Sequence, residues 1–208
     1  MKNTCLPLLI SFIIFISTAA QANSLDEVKE TTQVTVNKVM QLLQDTKLAP
    51  KTKNQAIIQA VRDLFDFKHM AKLSLGKKYW QKMSKPQKEK FIDLFVKKLQ
   101  LSYLDKLSLY TDEKVVIKAV EHPTYKSGKR KGKIKKTRIL VNSALVKGGD
   151  EIAMVYKFYK NKKMKNWKVY DFDVEGVSLI QTYRSQFKGV LKKQTIAELL
   201  QTLAANNK

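Results

Sequence analysis

Trp167-Lys168-Val169-Tyr170-Asp171-Phe172-Asp173-Val174-Glu175-Gly176-Val177-Ser178-Leu179-Ile180-Gln181-Thr182-Tyr183-Arg184-Ser185-Gln186-Phe187 changes its period halfway along. Up to Val174 apolar and polar side chains alternate, which is the two-residue repeat of a half-buried strand. Gly176 breaks the chain. Ser178 then offers a hydroxyl to the unpaired backbone donors of a first helical turn, and the apolar residues return at helical spacing. Strand, turn and capped amphipathic helix thus follow one another directly.

Upstream of this stretch the two-residue period extends back to Glu113. Residues 114–121, 135–146, 151–159 and 167–174 read as four β-strands. Their connections carry turn residues: Gly128 and Gly132, Gly148-Gly149-Asp150, and Asn161 with Asn166. Short links between successive strands favour an antiparallel meander. On both sides of the strands the period is helical. Ser24 with Glu27, Ser84 with Gln87, Ser178 with Gln181 and Thr195 with Glu198 each pair a hydroxyl with Glu or Gln three residues on. That spacing lets two orphan backbone donors be satisfied reciprocally at a helix start.

The helix from Ser24 carries Val36, Val39, Met40 and Leu43 on one stripe and is ended by Ala49-Pro50; the next brings Ile57, Val61, Leu64 and Phe65 to one face. A long helix over 84–110 has two apolar seams, one through Ile92, Phe95, Val96, Leu99 and Tyr103, the other through Phe91, Leu94, Leu101 and Leu104. Such a helix is buried between partners or forms one wall of a cavity, and the pattern alone allows both. Two helices, 178–191 and 195–204, close the chain. Helices, then sheet, then helices describe an α+β domain.

Residues 1–22 read as a signal peptide: Lys2, an apolar run from Leu6 to Ile16, and Ala20-Gln21-Ala22 as a cleavage site. The run is far shorter than the roughly 20 residues that span a bilayer. The remainder, 23–208, is expected to form a single domain and to be exported to the periplasm. Cys5 is the one cysteine of the chain and leaves with the leader, so disulfides hold nothing in the remainder. The net charge is +22, or +21 once Lys2 is removed. Export argues against nucleic acid as the partner of this field, leaving anionic lipid head groups, an acidic protein, or lysines that simply cover solvated faces.

Catalytic parts are missing. Gly176-Val177-Ser178-Leu179-Ile180 lacks the second Gly of a nucleophile elbow, so Ser178 reads as a helix cap. His69 and His122 are isolated. Gly76-Lys77-Lys78 has Ala71 in place of the first Gly of a phosphate loop and Lys78 in place of its hydroxyl. Asp171, Asp173 and Glu175 alternate and would share a strand face; they could gather a cation, but pairing with Lys168 or, across the Gly176 turn, with Arg184 accounts for them better. Neither a catalytic residue nor a metal ligand is expected.

The opening stretch, with W-x-V-Y-D, E-G-V-S-L and Y-R-S-Q-F in ungapped succession, resembles the signature of the MlaC or toluene-tolerance family. A second block, Asp66-Phe67-Lys68-His69-Met70-Ala71-Lys72-Leu73-Ser74-Leu75-Gly76-Lys77-Lys78-Tyr79-Trp80, resembles the family's F-D-F-x-x-M-A-x-x-x-L-G-x-x-W segment. Gln87, Phe91 and Phe95 follow as its Q-x-x-x-F-x-x-x-F. The resemblance implies an exported bacterial protein that carries phospholipid through the periplasm, maintaining outer-membrane lipid asymmetry. Its implied partners are an inner-membrane ABC transporter complex with an MCE-type protein, an outer-membrane lipoprotein complex and, transiently, the membrane. Phospholipid would be cargo, with no cofactor. Two acyl chains of sixteen carbons represent roughly 25 kcal/mol of burial at about 0.8 kcal/mol per CH₂, so a carrier needs an apolar cavity that replaces most of it.

The implied fold is therefore a helical N-terminal half, a four-stranded antiparallel sheet and C-terminal helices enclosing an apolar cavity. Candidate wall residues are Met70, Phe91, Phe95, Leu99 and Leu104 from the helices and Val141, Ile152, Met154, Tyr156 and Phe158 from the strands. On the second strand either Leu140, Ala144 and Val146 or Ile139, Val141 and Leu145 face inward. Met70, Met83 and Met154 suit irregular ligands. An alternative is a binding protein for another apolar ligand; a further one is a cationic surface-binding protein with a fully packed core.

One segment departs from the family pattern. Lys126, Lys129, Arg130, Lys131, Lys133, Lys135, Lys136 and Arg138 crowd one hairpin connection. Their repulsion predicts an exposed loop, either solvated and without structure or docking on anionic phospholipid or an acidic partner, at roughly 1 kcal/mol per basic residue near a charged membrane.

Overall fold

The computed structural model describes residues 17–104 and 113–207, with side chains described from Ser24 and not at Leu104. Helix α1 (Ser17–Gln44) is followed by α2 (Pro50–Arg62), α3 (Phe67–Leu75), α4 (Lys77–Lys82) and α5 (Lys85–Leu99), which runs into a π-helical turn, Gln100–Leu104. Five strands come next: β1 (Lys114–Glu121), β2 (Arg138–Lys147), β3 (Asp150–Tyr159), β4 (Lys168–Val174) and β5 (Val177–Ser178). Helices α6 (Leu179–Val190) and α7 (Ile196–Ala205) end the fold. The sheet is antiparallel with strands in chain order, β1-β2-β3-β4-β5.

The α+β reading holds, with three corrections. A fifth strand is present because Glu175 (φ 50°) and Gly176 (φ 76°) form a two-residue turn that brings Val177 opposite Val174. Both turn residues having positive φ is what such a hairpin requires. Ser24 does not cap a helix: α1 begins at Ser17 and runs through it. Residues 1–16 of the expected leader lie outside the described residues, as do 105–110 of the helix expected to reach Tyr110. That helix is regular only to Leu99.

The other three hydroxyl signals are helix starts. Ser84 and Thr195 form full reciprocal boxes with Gln87 and Glu198, and Ser178 accepts from Gln181 N. Asp66 caps α3 by accepting from His69 N at 2.8 Å.

Two clusters make the core. Helices α3, α5, α6 and α7 pack around Met70, Leu75, Phe91, Phe95, Tyr183, Phe187 and Leu203. Phe95 meets Tyr183 edge-on at 5.4 Å, and Phe91 meets Phe187 at 5.5 Å, the tilted geometry aromatic rings prefer. The second cluster lies between α1 and one end of the sheet: Val28 and Val36 against Ile139, Val141, Phe158, Trp167 and Val169. Thr32 is fully buried in α1 because its hydroxyl donates to Val28 O at 2.6 Å.

A bulge sets the faces of β4. Phe158 pairs with Val169 but Lys157 pairs with Asp171, leaving Tyr170 without a partner. The extra residue shifts the phase of alternation, so Val169 and Phe172 both face inward although they are three residues apart. Asp171 and Asp173 are left on the opposite face with Lys157.

Candidate functional site

The inner face of the sheet is closed at one end and hollow at the other. Register places Ile139 beside Phe158 and Val141 beside Tyr156 at the closed end, with Ser143 beside Met154 and Leu145 beside Ile152 beyond them. From Tyr156 back to Ile152 on β3, a cavity of about 540 Å³ opens between the sheet and the helices. Ligand pockets range over roughly 300–1,000 Å³. Val115, Leu145, Ile152, Met154, Tyr156, Phe172 and Val174 form its floor, Val36, Val39, Met40 and Leu43 of α1 and Ile57, Ile58 and Val61 of α2 one side. Thr35, Leu64, Phe65, Phe67, Met70, Leu99, Gln100, Tyr103, Val177, Leu179 and Thr182 complete it. None of its lining residues is charged.

Such a wall excludes ions and admits hydrocarbon, since an unpaired charge in an apolar medium loses its hydration without compensation. Burial pushes the Tyr156 phenol up to about 12, so it too stays neutral. The most exposed wall residues are Val177 at 62% and Tyr103 at 40%. Tyr103 belongs to the π-helical turn and Val177 to the β4–β5 hairpin, both at the end of the sheet where β1 begins.

Of the sequence candidates, Met70, Leu99, Ile152, Met154 and Tyr156 line this cavity. Phe91, Phe95, Val141 and Phe158 do not: all four are at most 1% exposed in closed packing, Phe158 also bordering a smaller hollow of about 250 Å³ with Glu27, Asp63 and Asn166. Met83 is in the helical core. The Leu104 side chain lies outside the described residues. On β2 the inward set is Ile139, Val141 and Leu145, of which only Leu145 reaches the cavity. The walls from α1, α2 and the β4–β5 hairpin were absent from the expected site, although their apolar stripes are plain in the sequence.

Behind the cavity, on the outer sheet face, Lys157 bridges two carboxylates, Asp171 at 3.0 Å and Asp173 at 2.6 Å. Asp171 also accepts from Ser178 Oγ at 2.7 Å and Ile180 N at 3.1 Å, tying β4 to the start of α6. Burial alone would lower the Lys157 ammonium, but its contacts with Asp173 and Asp171 outweigh that and hold it above the usual value. The alternating carboxylates therefore hold an ammonium. Their partner is neither Arg184, which is exposed and lies beside Gly76, nor Lys168, which donates to Asp63 O; Glu175 accepts from Ala153 N. No group of three metal-ligating side chains occurs among the described residues.

His69 stacks on Tyr159 at 4.6 Å, and the Tyr159 hydroxyl donates to Asp66 Oδ2. Burial lowers the His69 pKa, opposed by Asp66 and reinforced by Lys72 and Arg138. Arg138 lies over both Tyr159 and Tyr170. His122 is taken up by the Arg138 carbonyl at 2.6 Å.

Fold and site define a helix-and-sheet protein built around an uncharged cavity. A family model described as "MlaC protein" matches residues 33–205, and the chain belongs to that family. It is 30% identical over 122 residues to the intermembrane phospholipid transport system binding protein MlaC of Haemophilus influenzae; the match takes in 59% of this chain and 53% of that one. The chain thus aligns with about half the length of this curated relative. A phospholipid-binding protein from Ralstonia solanacearum, solved in complex with a phospholipid, superposes with a TM-score of 0.71 at 24% identity, covering 87% of this chain and 97% of the other. That likeness establishes the fold.

Proposed function

We propose that this protein is a periplasmic phospholipid carrier that holds acyl chains in the cavity between the sheet and helices α1 and α2. The observation that carries the reading is the uncharged wall of a hollow of about 540 Å³ in a chain otherwise dense in charge. Enclosed apolar space lowers stability unless something fills it. Hydrocarbon in that space replaces the burial it leaves in a bilayer, so uptake and release stay nearly balanced. The head group, which needs water or polar partners, stands at the mouth near Gln100, Tyr103 and Thr182. No catalytic group or cofactor enters this reading.

The names of its relatives support the same cargo, since one is an intermembrane phospholipid transport protein and another was solved with a phospholipid. In this reading residues 1–22 direct export, and the carrier moves lipid between an outer-membrane lipoprotein complex and an inner-membrane ABC transporter with its MCE-type protein. No helix among the described residues is long and apolar enough to cross a membrane. The cationic surface-binding reading requires a fully packed core, which the cavity disfavours.

The test is extraction. Mature protein is incubated with vesicles containing a fluorescent phospholipid, the vesicles are removed, and lipid is measured in the protein fraction. Stoichiometric lipid in that fraction supports the carrier; none, with free fatty acid or a hydrophobic dye retained instead, replaces phospholipid by another apolar ligand.

A further inference from the structure

The connection between β1 and β2, taken with the first residue of β2 as residues 122–138, is folded rather than unstructured. Tyr125 N donates to Lys133 O at 3.0 Å and Gly132 N donates back to Tyr125 O at 2.9 Å; Lys135 N reaches Pro123 O at 2.8 Å. Gly128–Arg130 forms a short 3₁₀ turn at the tip. Arg130 and Lys135 both lie over the Tyr125 ring, 5.7 and 5.0 Å from its centre, which anchors two cations of the loop on one aromatic. Of the two readings of this loop, the one without structure of its own is overturned.

This excursion holds eight Lys and Arg and no carboxylate. None of them is in an ion pair with a described residue. Among the cations stands one bare aliphatic side chain, Ile134, 48% exposed between Lys133 and Lys135. A fixed cationic surface with a protruding aliphatic residue matches the boundary of an anionic bilayer, where the charges meet head groups and the side chain enters the acyl margin. An acidic protein surface would use the charges and leave Ile134 without a place.

Its position in the fold decides what docking there does. The excursion joins the end of β1 to the start of β2, whereas the cavity is floored by the start of β1, the end of β2 and the start of β3. From Ile152 at the cavity to Tyr159 at the loop end, β3 runs about 23 Å. The closed packing of Ile139, Val141, Phe158 and Val169 lies between.

We propose that residues 122–138 are a docking platform for anionic phospholipid bilayers that tethers the protein with its cavity mouth turned away from that surface. The orientation rests on the carrier reading above; the docking does not. Lipid would then pass at the free end, to a partner, while the loop keeps the carrier near the membrane.

The experiment uses the mature chain in flotation with vesicles of phosphatidylcholine alone and of phosphatidylcholine with phosphatidylglycerol, at low and at physiological salt. Lys129, Lys131, Lys133 and Lys136 are changed together to Gln, leaving Arg130 and Lys135 on Tyr125. A control removes Lys77, Lys82, Lys188 and Lys193, which are exposed and elsewhere. A third variant is Ile134→Gln. The expected result is salt-sensitive binding to the anionic vesicles only, weakened more than tenfold by the loop variant and severalfold by Ile134→Gln, and much less by the control. Retained cargo, weighed on the same samples, stays unchanged in all three. Equal loss in loop variant and control, or binding that ignores the loop, overturns docking. Loss of cargo in the loop variant overturns the separation of platform from mouth, and absence of cargo in every sample would strike the carrier reading instead.

Discussion

Lys157 on β3 and Asp171 on β4 are cross-strand neighbours whose charges meet at 3.0 Å, and the pairing exists because Tyr170 is bulged out of the ladder just before it. The same ammonium holds Asp173. Replacing Lys157 with Met leaves two carboxylates, largely buried, without their cation. The expected cost is about 3 kcal/mol, the low end for breaking a buried pair because Lys157 keeps some contact with water. Urea unfolding with an unchanged m-value checks it; a loss under about 1 kcal/mol contradicts the role given to the pair.

Ser178 joins that network to α6, capping the helix and donating to Asp171. Ser178→Ala should cost about 1–2 kcal/mol, as for other caps, whereas Ser178→Asp would bring a third carboxylate to Lys157 and should be worse than Ala despite Asp being a good cap elsewhere. Thermal denaturation of both variants decides. Asp outperforming Ala would show that capping alone matters there.

The His69 ring, stacked on Tyr159, has its pKa below the ordinary 6.5 in the folded protein. The fold therefore prefers the neutral ring. Its contribution is fully present above the unfolded value and is lost as pH falls through the folded one. His69→Phe keeps an aromatic on Tyr159 and removes the titration. The melting temperature of the native chain relative to this variant should fall as the pH is taken from above the ordinary 6.5 to well below it. A constant difference across that window would refute it.

Phe95 is fully buried among Phe91, Tyr183 and Phe187 and does not reach the cavity. Phe95→Ala is expected to cost about 3–5 kcal/mol through the void it leaves. Extracted lipid per folded molecule, measured well below the unfolding midpoint, should not change. A drop in that ratio with stability intact would make Phe95 part of the wall.

Four of the five strands, the last two helices and their capping residues were legible because two-residue and helical periods differ plainly and hydroxyl caps have a fixed spacing. The cavity was only half legible. Val141 and Leu145 sit on one face of β2, yet one is in closed core and the other on the wall; periodicity reports the face and not how far the opposing helix stands away. The Lys157 pair was missed for another reason. Val169 and Phe172 both point inward, an odd spacing that marks a phase shift in β4, which a single two-residue period over 167–174 does not contain. The order within the basic loop depends on a cation–aromatic anchor on Tyr125, which a count of charges does not reveal.

The central claim is that the cavity holds phospholipid, and native mass spectrometry of residues 23–208 purified from periplasm without detergent tests it most directly. The native chain is compared with Leu145→Trp combined with Ile152→Trp, which fills the floor from two paired positions. The account predicts a phospholipid-mass adduct on the native chain that is absent from the variant, with the variant cooperatively folded. Equal adducts on both, or a folded native chain that stays bare even after exposure to lipid vesicles, would contradict it.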